Sequence, residues 1–276
     1  MYKSIRLVRI IISLVAMVIP AWALLCGYES VFVRMRVFTS LLSGVGLCLV
    51  FWAIVTLIYG RIYCSTVCPL GTLMDCVSNT RRVVCRSKSD YHYTLPSPRT
   101  RIVFLVAAII ALVGGSVFLP TLFDPYSAYS RMIEEFFVRP FGRAYGAVSF
   151  SISSFSVAVV TALGIVAASW RRGRLVCNTV CPVGTVLGVG SKRSYFHIEI
   201  DPDKCINCGK CESVCKAQCI KLPEKTVDAS RCVVCFNCTT VCPNQAINYK
   251  SGRYHIDMPM LQNISQGSAA QTSTPK

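Results

Sequence analysis

Cys205-Ile206-Asn207-Cys208-Gly209-Lys210-Cys211-Glu212-Ser213-Val214-Cys215 is followed, 27 positions later, by Cys232-Val233-Val234-Cys235-Phe236-Asn237-Cys238-Thr239-Thr240-Val241-Cys242. Both stretches read C-x2-C-x2-C-x3-C, and the second continues into Pro243. Short gaps let three sulfurs of one tight loop face a single iron–sulfur cube, while the fourth thiolate of each run crosses to the other cube. The spacing therefore predicts two 4Fe-4S clusters. Cys205, Cys208, Cys211 and Cys242 are expected on one, and Cys232, Cys235, Cys238 and Cys215 on the other.

Zinc modules favour paired arms or Cys/His mixtures, and His occurs only at His92, His197 and His255. A disulfide framework needs an oxidising compartment, which the topology below opposes. The repeat has two irregularities. Lys216 follows Cys215, where the second run has Pro243. Cys219 corresponds to Ala246, and because Ile220 and Ile247 also correspond, it is expected to fill a small packing position; the alternative is a substitute ligand.

The chain as a whole is 53% hydrophobic and 15% charged, far from an average soluble domain. Ile10–Tyr28, Val37–Tyr59, Ile102–Phe123 and Ala144–Trp170 contain no Asp, Glu, Lys, Arg or His. Each run is long enough for a helix to cross a bilayer, so four spans are expected. Basic residues cluster at Lys3, Arg6 and Arg9, at Arg61, Arg81, Arg82, Arg86, Lys88, Arg99 and Arg101, and at Arg171, Arg172, Arg174, Lys192 and Arg193. The positive-inside rule then puts both termini, and the iron–sulfur segment, on the cytoplasmic side of a cytoplasmic membrane. The net charge of +16 reads as topology and contact with anionic lipid, not as nucleic-acid binding. The basic start, the apolar run and Ala21-Trp22-Ala23 also fit a cleavable signal; retention as an anchor is the preferred reading.

A second repeat lies in the membrane half. Gly60-Arg61-Ile62-Tyr63-Cys64-Ser65-Thr66-Val67-Cys68-Pro69-Leu70-Gly71-Thr72 recurs as Gly173-Arg174-Leu175-Val176-Cys177-Asn178-Thr179-Val180-Cys181-Pro182-Val183-Gly184-Thr185. The membrane half thus reads as two hairpins, each delivering one C-x3-C-P segment to the cytoplasmic face. Helical i,i+4 spacing would put both thiols of a pair on one side, and the Pro suggests a turn or a helix start after the second Cys. Three readings of Cys64, Cys68, Cys177 and Cys181 stay open: one joint site for a further iron–sulfur cluster or thiophilic metal, redox-active thiols, or structural repetition. Cys26, Cys48, Cys76 and Cys85 have no paired spacing and read as ordinary small residues.

Four spans, two C-x3-C-P segments and a cytoplasmic two-cluster ferredoxin domain together resemble the NapH-type polyferredoxin membrane proteins. The resemblance covers nearly the whole chain except its tail. It implies a membrane component that draws electrons from quinol for a partner reductase. More loosely it extends to a membrane regulator of nitrous oxide reduction and to a copper-reducing oxidase-assembly protein, relatives that normally carry additional domains. The alternative function is accordingly an accessory protein supplying electrons, or reducing metal, for assembly of another metalloenzyme. In either case the chain is expected to be an electron-transfer subunit of an oxidoreductase system rather than an autonomous enzyme. Its partners would be membrane lipid, the quinone pool and another redox protein.

What the spans lack narrows the chemistry. No C-x2-C precedes a His, and no His lies in a span, so neither c-type nor bis-His haem is expected. Nucleotide-binding glycine motifs are absent. Quinol chemistry would then use loop groups, and the outer segment Thr121–Arg131 offers Asp124 as proton acceptor, Tyr126 as hydrogen-bonding partner and Arg131 as a charge; the plainer reading is an Asp-Pro turn with interfacial tyrosines. The expected architecture is a four-helix membrane bundle of two hairpins over residues 1–193, an α+β two-cluster ferredoxin domain over 194–250 and a largely disordered tail over 251–276.

Overall fold

The computed structural model describes residues 2–26, 46–85, 91–94, 98–114, 122, 124–138 and 152–252. Two of its helices, α1 (Tyr2–Leu25) and α7 (Ile152–Arg172), are long and apolar enough to cross a membrane. The apolar helices α2 (Gly46–Tyr59) and α5 (Pro98–Val113) run 14 and 16 residues. They cover parts of the expected spans Val37–Tyr59 and Ile102–Phe123; residues 37–45, 115–121 and 123 lie outside the described residues, as do 27–28, 144–151 and the tail from 253 onward.

Helix α1 starts well before Ile10 and carries its basic residues within the helix. Its two arginines are held by partners: Arg9, 6% exposed, donates to the Ser65 carbonyl at 3.2 Å, and Arg6 donates to Thr240 Oγ1 at 3.3 Å. The N-terminal helix thereby ties the membrane half to the iron–sulfur half.

Each C-x3-C-P segment folds the same way. A short turn, α3 (Tyr63–Thr66) or α8 (Leu175–Thr179), holds the first Cys, and a new helix, α4 (Pro69–Val84) or α9 (Pro182–Ser191), starts immediately after the second. The expected helix start is therefore present, but not a single helix through both thiols. Proline at the first helical position needs no amide partner there, which is why the chain restarts at that residue. The two units interlock: α4 packs on α7, which leads into the second unit, and α9 packs on α2, which leads into the first.

Between the two C-x3-C-P units, Pro125–Ile133 forms helix α6, continued by a π-helical turn over Glu134–Val138. Instead of an exposed turn with interfacial tyrosines, Tyr126 and Tyr129 are buried, and α6 packs against α1, α4 and α7.

The C-terminal unit pairs β1 (Phe196–Ile200) with β4 (Ile247–Ser251) antiparallel, from Phe196↔Ser251 to Ile200↔Ile247, and β2 (Ile220–Lys221) with β3 (Thr226–Val227). One short helix follows in each cysteine run, α10 (Lys210–Ser213) and α11 (Asn237–Val241). This is the small α+β unit expected of a duplicated iron–sulfur segment. It docks on the membrane half through stacked rings, Tyr59 on Phe196 at 5.6 Å and Tyr2 on Phe236 at 6.1 Å, and through bonds from Tyr195 N to Leu57 O and from Tyr249 Oη to Tyr59 O.

Candidate functional site

The two cysteine runs share one backbone conformation. Asn207 and Val234, Gly209 and Phe236, and Gln218 and Gln245 all have positive φ, and the members of each pair stand 27 residues apart. A left-handed conformation is ordinary for glycine but a genuine outlier for β-branched Val234, so the loop is held in this shape at a local cost, as happens where backbone wraps a ligand. Cys205, Cys208 and Cys211 line one small cavity together with Cys242 from the other run. Cys215 in turn joins the second run: burial, then Cys235, Cys232 and Cys215 push the Cys238 thiol well above the ordinary range. Cys242 thus stands with the first run, and Cys215 near Cys238 of the second.

Cys219 is buried as a packing residue, yet its sulfur lies 3.5 Å from that of Cys215. A hydrogen bond from this thiol, together with backbone amides, draws the Cys215 thiol below its usual value.

In the N-terminal half, Cys64, Cys68, Cys177 and Cys181 line a single cavity of about 500 Å³. The thiols of Cys68 and Cys181 cap α4 and α9, each accepting from the amide of the glycine three residues on, Gly71 or Gly184, at 3.4 Å. Helix N-termini of this length favour a negative group. Among the described residues no three His, Cys, Asp or Glu side chains converge tightly enough for one metal ion. A mononuclear site draws thiolates to about 2.3 Å from a single ion; a cluster places one thiolate on each of four irons and keeps the sulfurs apart.

The surrounding charge agrees with an anionic occupant. Arg61 is fully buried; it donates to Asn178 Oδ1 at 2.7 Å and the Ser230 carbonyl at 3.0 Å, and lies 3.8 Å from the Cys64 sulfur. Its counterpart Arg174, also buried, donates to the Cys64 carbonyl at 2.7 Å and forks onto both oxygens of Asp75 at 2.8 Å. Each repeat unit sends its arginine into the other. Arg9, Arg174 and Lys216 are buried around one carboxylate, Asp75, while Arg61 lies buried beside the Cys64 sulfur, and buried charge demands compensation. Thiolates carrying an iron–sulfur group would supply it. Burial pushes the Cys177 thiol up to about 11, although Arg174 and Arg61 pull it down, so metal loading there must displace protons.

Lys216, the residue that breaks the cysteine pattern, sits 3.4 Å from Asp75 Oδ1 and donates to Asn79 Oδ1 at 3.0 Å. Proline at this position would have no such reach. Burial alone would raise the Asp75 carboxyl, but Arg174 and then Lys216 outweigh it and hold it down at about 2. A depressed carboxylate contributes stability that is present above its unfolded value of about 3.9 and lost as pH falls toward the folded value. The stability gap between wild type and Asp75→Asn, followed by thermal melting in detergent, is therefore expected to narrow between about pH 5 and pH 2. A constant gap across that range would refute the ion-pair account.

Sequence reasoning counted Arg61 and Arg174 among the basic residues that set topology; the structure buries both. The signal that distinguishes them was available, since Gly-Arg precedes C-x3-C-P in both repeats by the same spacing. Lys216 and Asp75 had no comparable signal. Of the quinol candidates, Asp124 is buried and caps α6 by accepting from the Ser127 amide at 2.9 Å, Tyr126 donates to the Val67 carbonyl at 2.9 Å, and Arg131 lies in the last turn of α6. None of the three lines the cavity; Leu122, Pro125 and Ala128 of the same segment do.

A protein-family model described as a 4Fe-4S binding domain matches residues 42–86 and 156–197, the two stretches that carry the C-x3-C-P segments. A second model with the same description matches residues 197–220, which hold the first cysteine run. The putative electron transport protein YccM of Escherichia coli is 25% identical over 176 residues, 62% of this chain and 46% of the relative. The ferredoxin-type protein NapH is 28% identical in Haemophilus influenzae, over 66% of this chain and 56% of the relative. The Escherichia coli NapH is also 28% identical, over 59% and 51%. The chain spans about half the length of these curated relatives. No solved structure matches significantly. The chain is an iron–sulfur protein with ferredoxin-type 4Fe-4S segments, similar at modest identity to NapH-type proteins.

Proposed function

We propose that this chain relays single electrons between a lipid-soluble quinol and a partner redox protein, through three iron–sulfur centres held in one chain. Cys205, Cys208, Cys211 and Cys242 hold the first, Cys232, Cys235, Cys238 and Cys215 the second, and Cys64, Cys68, Cys177 and Cys181 the third. Residues 1–193 form a four-span bundle, residues 194–250 the ferredoxin domain, and both termini face the cytoplasm, a reading supported by the basic residues that flank the apolar runs.

The observation that carries the proposal is the way the ferredoxin domain seats on the C-x3-C-P segments. Arg61 touches the Cys64 sulfur on one side and the carbonyl of Ser230, two residues before Cys232, on the other. Lys216, next to Cys215, shares Asp75 with Arg174, three residues before Cys177. Such centres, when present, accept and pass single electrons. The chain's own groups arrange the sequence of stations: Cys208 is exposed beside Ile206, 62% exposed, where a partner can dock; the charge of Arg9 acts on Cys235; and the four C-x3-C-P thiols face an apolar cavity. The buried guanidinium groups favour the charged thiolates and keep water from the path.

Iron and acid-labile sulfide per chain on anaerobically purified protein, with EPR after reduction, test the reading. About twelve irons are expected, falling to about eight when Cys64, Cys68, Cys177 and Cys181 are all changed to Ser. Eight in both proteins would remove the third centre and leave the membrane thiols as redox groups or structure.

A further inference from the structure

The two C-x3-C-P units differ in polarity at one matched wall position. Tyr63 stands before Cys64 and Val176 before Cys177, and both line the 500 Å³ cavity. Tyr63 is 2% exposed and meets Trp52 edge-on, with ring centroids 4.7 Å apart. Its hydroxyl is buried without a hydrogen-bond partner among the described residues. Other hydroxyls on the wall are satisfied within α7, Ser156 by the Ser153 carbonyl and Thr161 by that of Val157. An unbonded buried hydroxyl is unfavourable, and on this wall a ligand oxygen would satisfy it.

The cavity is too long to be only a cradle for the four sulfurs. Its wall follows α7 from Ser156 to Ile165, about 13 Å at the helical rise. It opens on the outer surface of that helix. Val160 is 69% exposed, and a Cβ added at Gly164 would meet nothing within 4 Å. Volume and apolar lining suit a small molecule with few polar groups.

We propose that this cavity binds the ring of a quinone-type carrier, with one ring oxygen hydrogen-bonded to the Tyr63 hydroxyl and the tail leaving past Val160 and Gly164. The site rests on the relay reading above and moves the carrier from the Asp124–Arg131 segment to the thiol side of the bundle. Tyr63 is then a binding residue, supplied by one repeat unit only.

The test uses the iron-replete full chain in detergent, with decylubiquinone as probe and fluorescence quenching of Trp52 as readout. Saturable quenching is expected, and Trp52→Phe should remove it. Tyr63→Phe keeps the ring and should raise Kd about tenfold. Gly164→Leu projects into open space and should raise Kd at least as much, with iron content unchanged in both variants. Wild-type Kd values in both variants would overturn the site. If the wild type shows no saturable quenching while decylubiquinone still reoxidises its reduced clusters, the relay stands and this site is wrong. If neither happens, the relay itself fails and the site with it.

Discussion

Asp75→Asn is expected to loosen the ferredoxin domain from the membrane half and to lower stability by about 3–5 kcal/mol, the usual effect of stripping the partner from a buried charge. The substitution barely changes shape. It leaves the fork of Arg174, bonded to both Asp75 oxygens at 2.8 Å, and the ammonium of Lys216, 3.4 Å away, without their carboxylate. Both cations are nearly sealed from water, with side-chain exposures of 1% and 5%. Neither can relax outward, because Arg174 is also bonded to the Cys64 carbonyl and its own amide to the Lys216 carbonyl. Limited proteolysis between Ser191 and Tyr195, alongside thermal melting, reads the loss. Lys216→Met should be milder, since Arg174 still balances Asp75. An Asp75→Asn protein as stable and as protease-resistant as wild type would mean that the ring contacts alone dock the domain.

Gly184→Ala should cost the chain its C-x3-C-P centre, seen as about four irons fewer per chain with the ferredoxin signals retained. A Cβ there would overlap the Cys177 carbonyl and reach within 2.9 Å of the Arg61 guanidinium. Backbone cannot yield as a flexible side chain does, and overpacking of this kind typically costs about 1–3 kcal/mol or more. The same argument holds at Gly71, where the Cβ would come 2.6 Å from the Cys64 carbonyl. These glycines let the first turn of each new helix lie directly on the turn that holds the first cysteine. Gly164→Ala provides the control: its Cβ meets nothing, and in mid-helix the change should be neutral or mildly stabilising. Full iron content in Gly184→Ala would show that the capping geometry is not needed for the centre.

Much of this was local and therefore readable along the chain. Cysteine loops of fixed spacing adopt one shape wherever they occur, so the pairing of Cys242 with the first run and Cys215 with the second was expected from the repeat alone. Proline after Cys68 and Cys181 announced the helix starts, because it removes an amide that a first turn does not use. Apolar runs announced α1 and α7 for the same reason of local chemistry.

What depended on distant partners was not legible. Arg61 and Arg174 look like ordinary basic residues near a membrane until the second repeat unit folds against the first and each guanidinium reaches across. Lys216 looks like a lapse in a pattern until Asp75, 141 residues earlier, is found beneath it. Asp124 and Tyr126 look like a surface turn until α6 packs on α1 and α4. Sequence by itself determined the cysteine runs and the helix starts after Cys68 and Cys181. Only the tertiary structure decided which charges are buried and which wall faces the four membrane thiols. Burial and compensation are set by the whole set of neighbours, and local spacing carries no record of them.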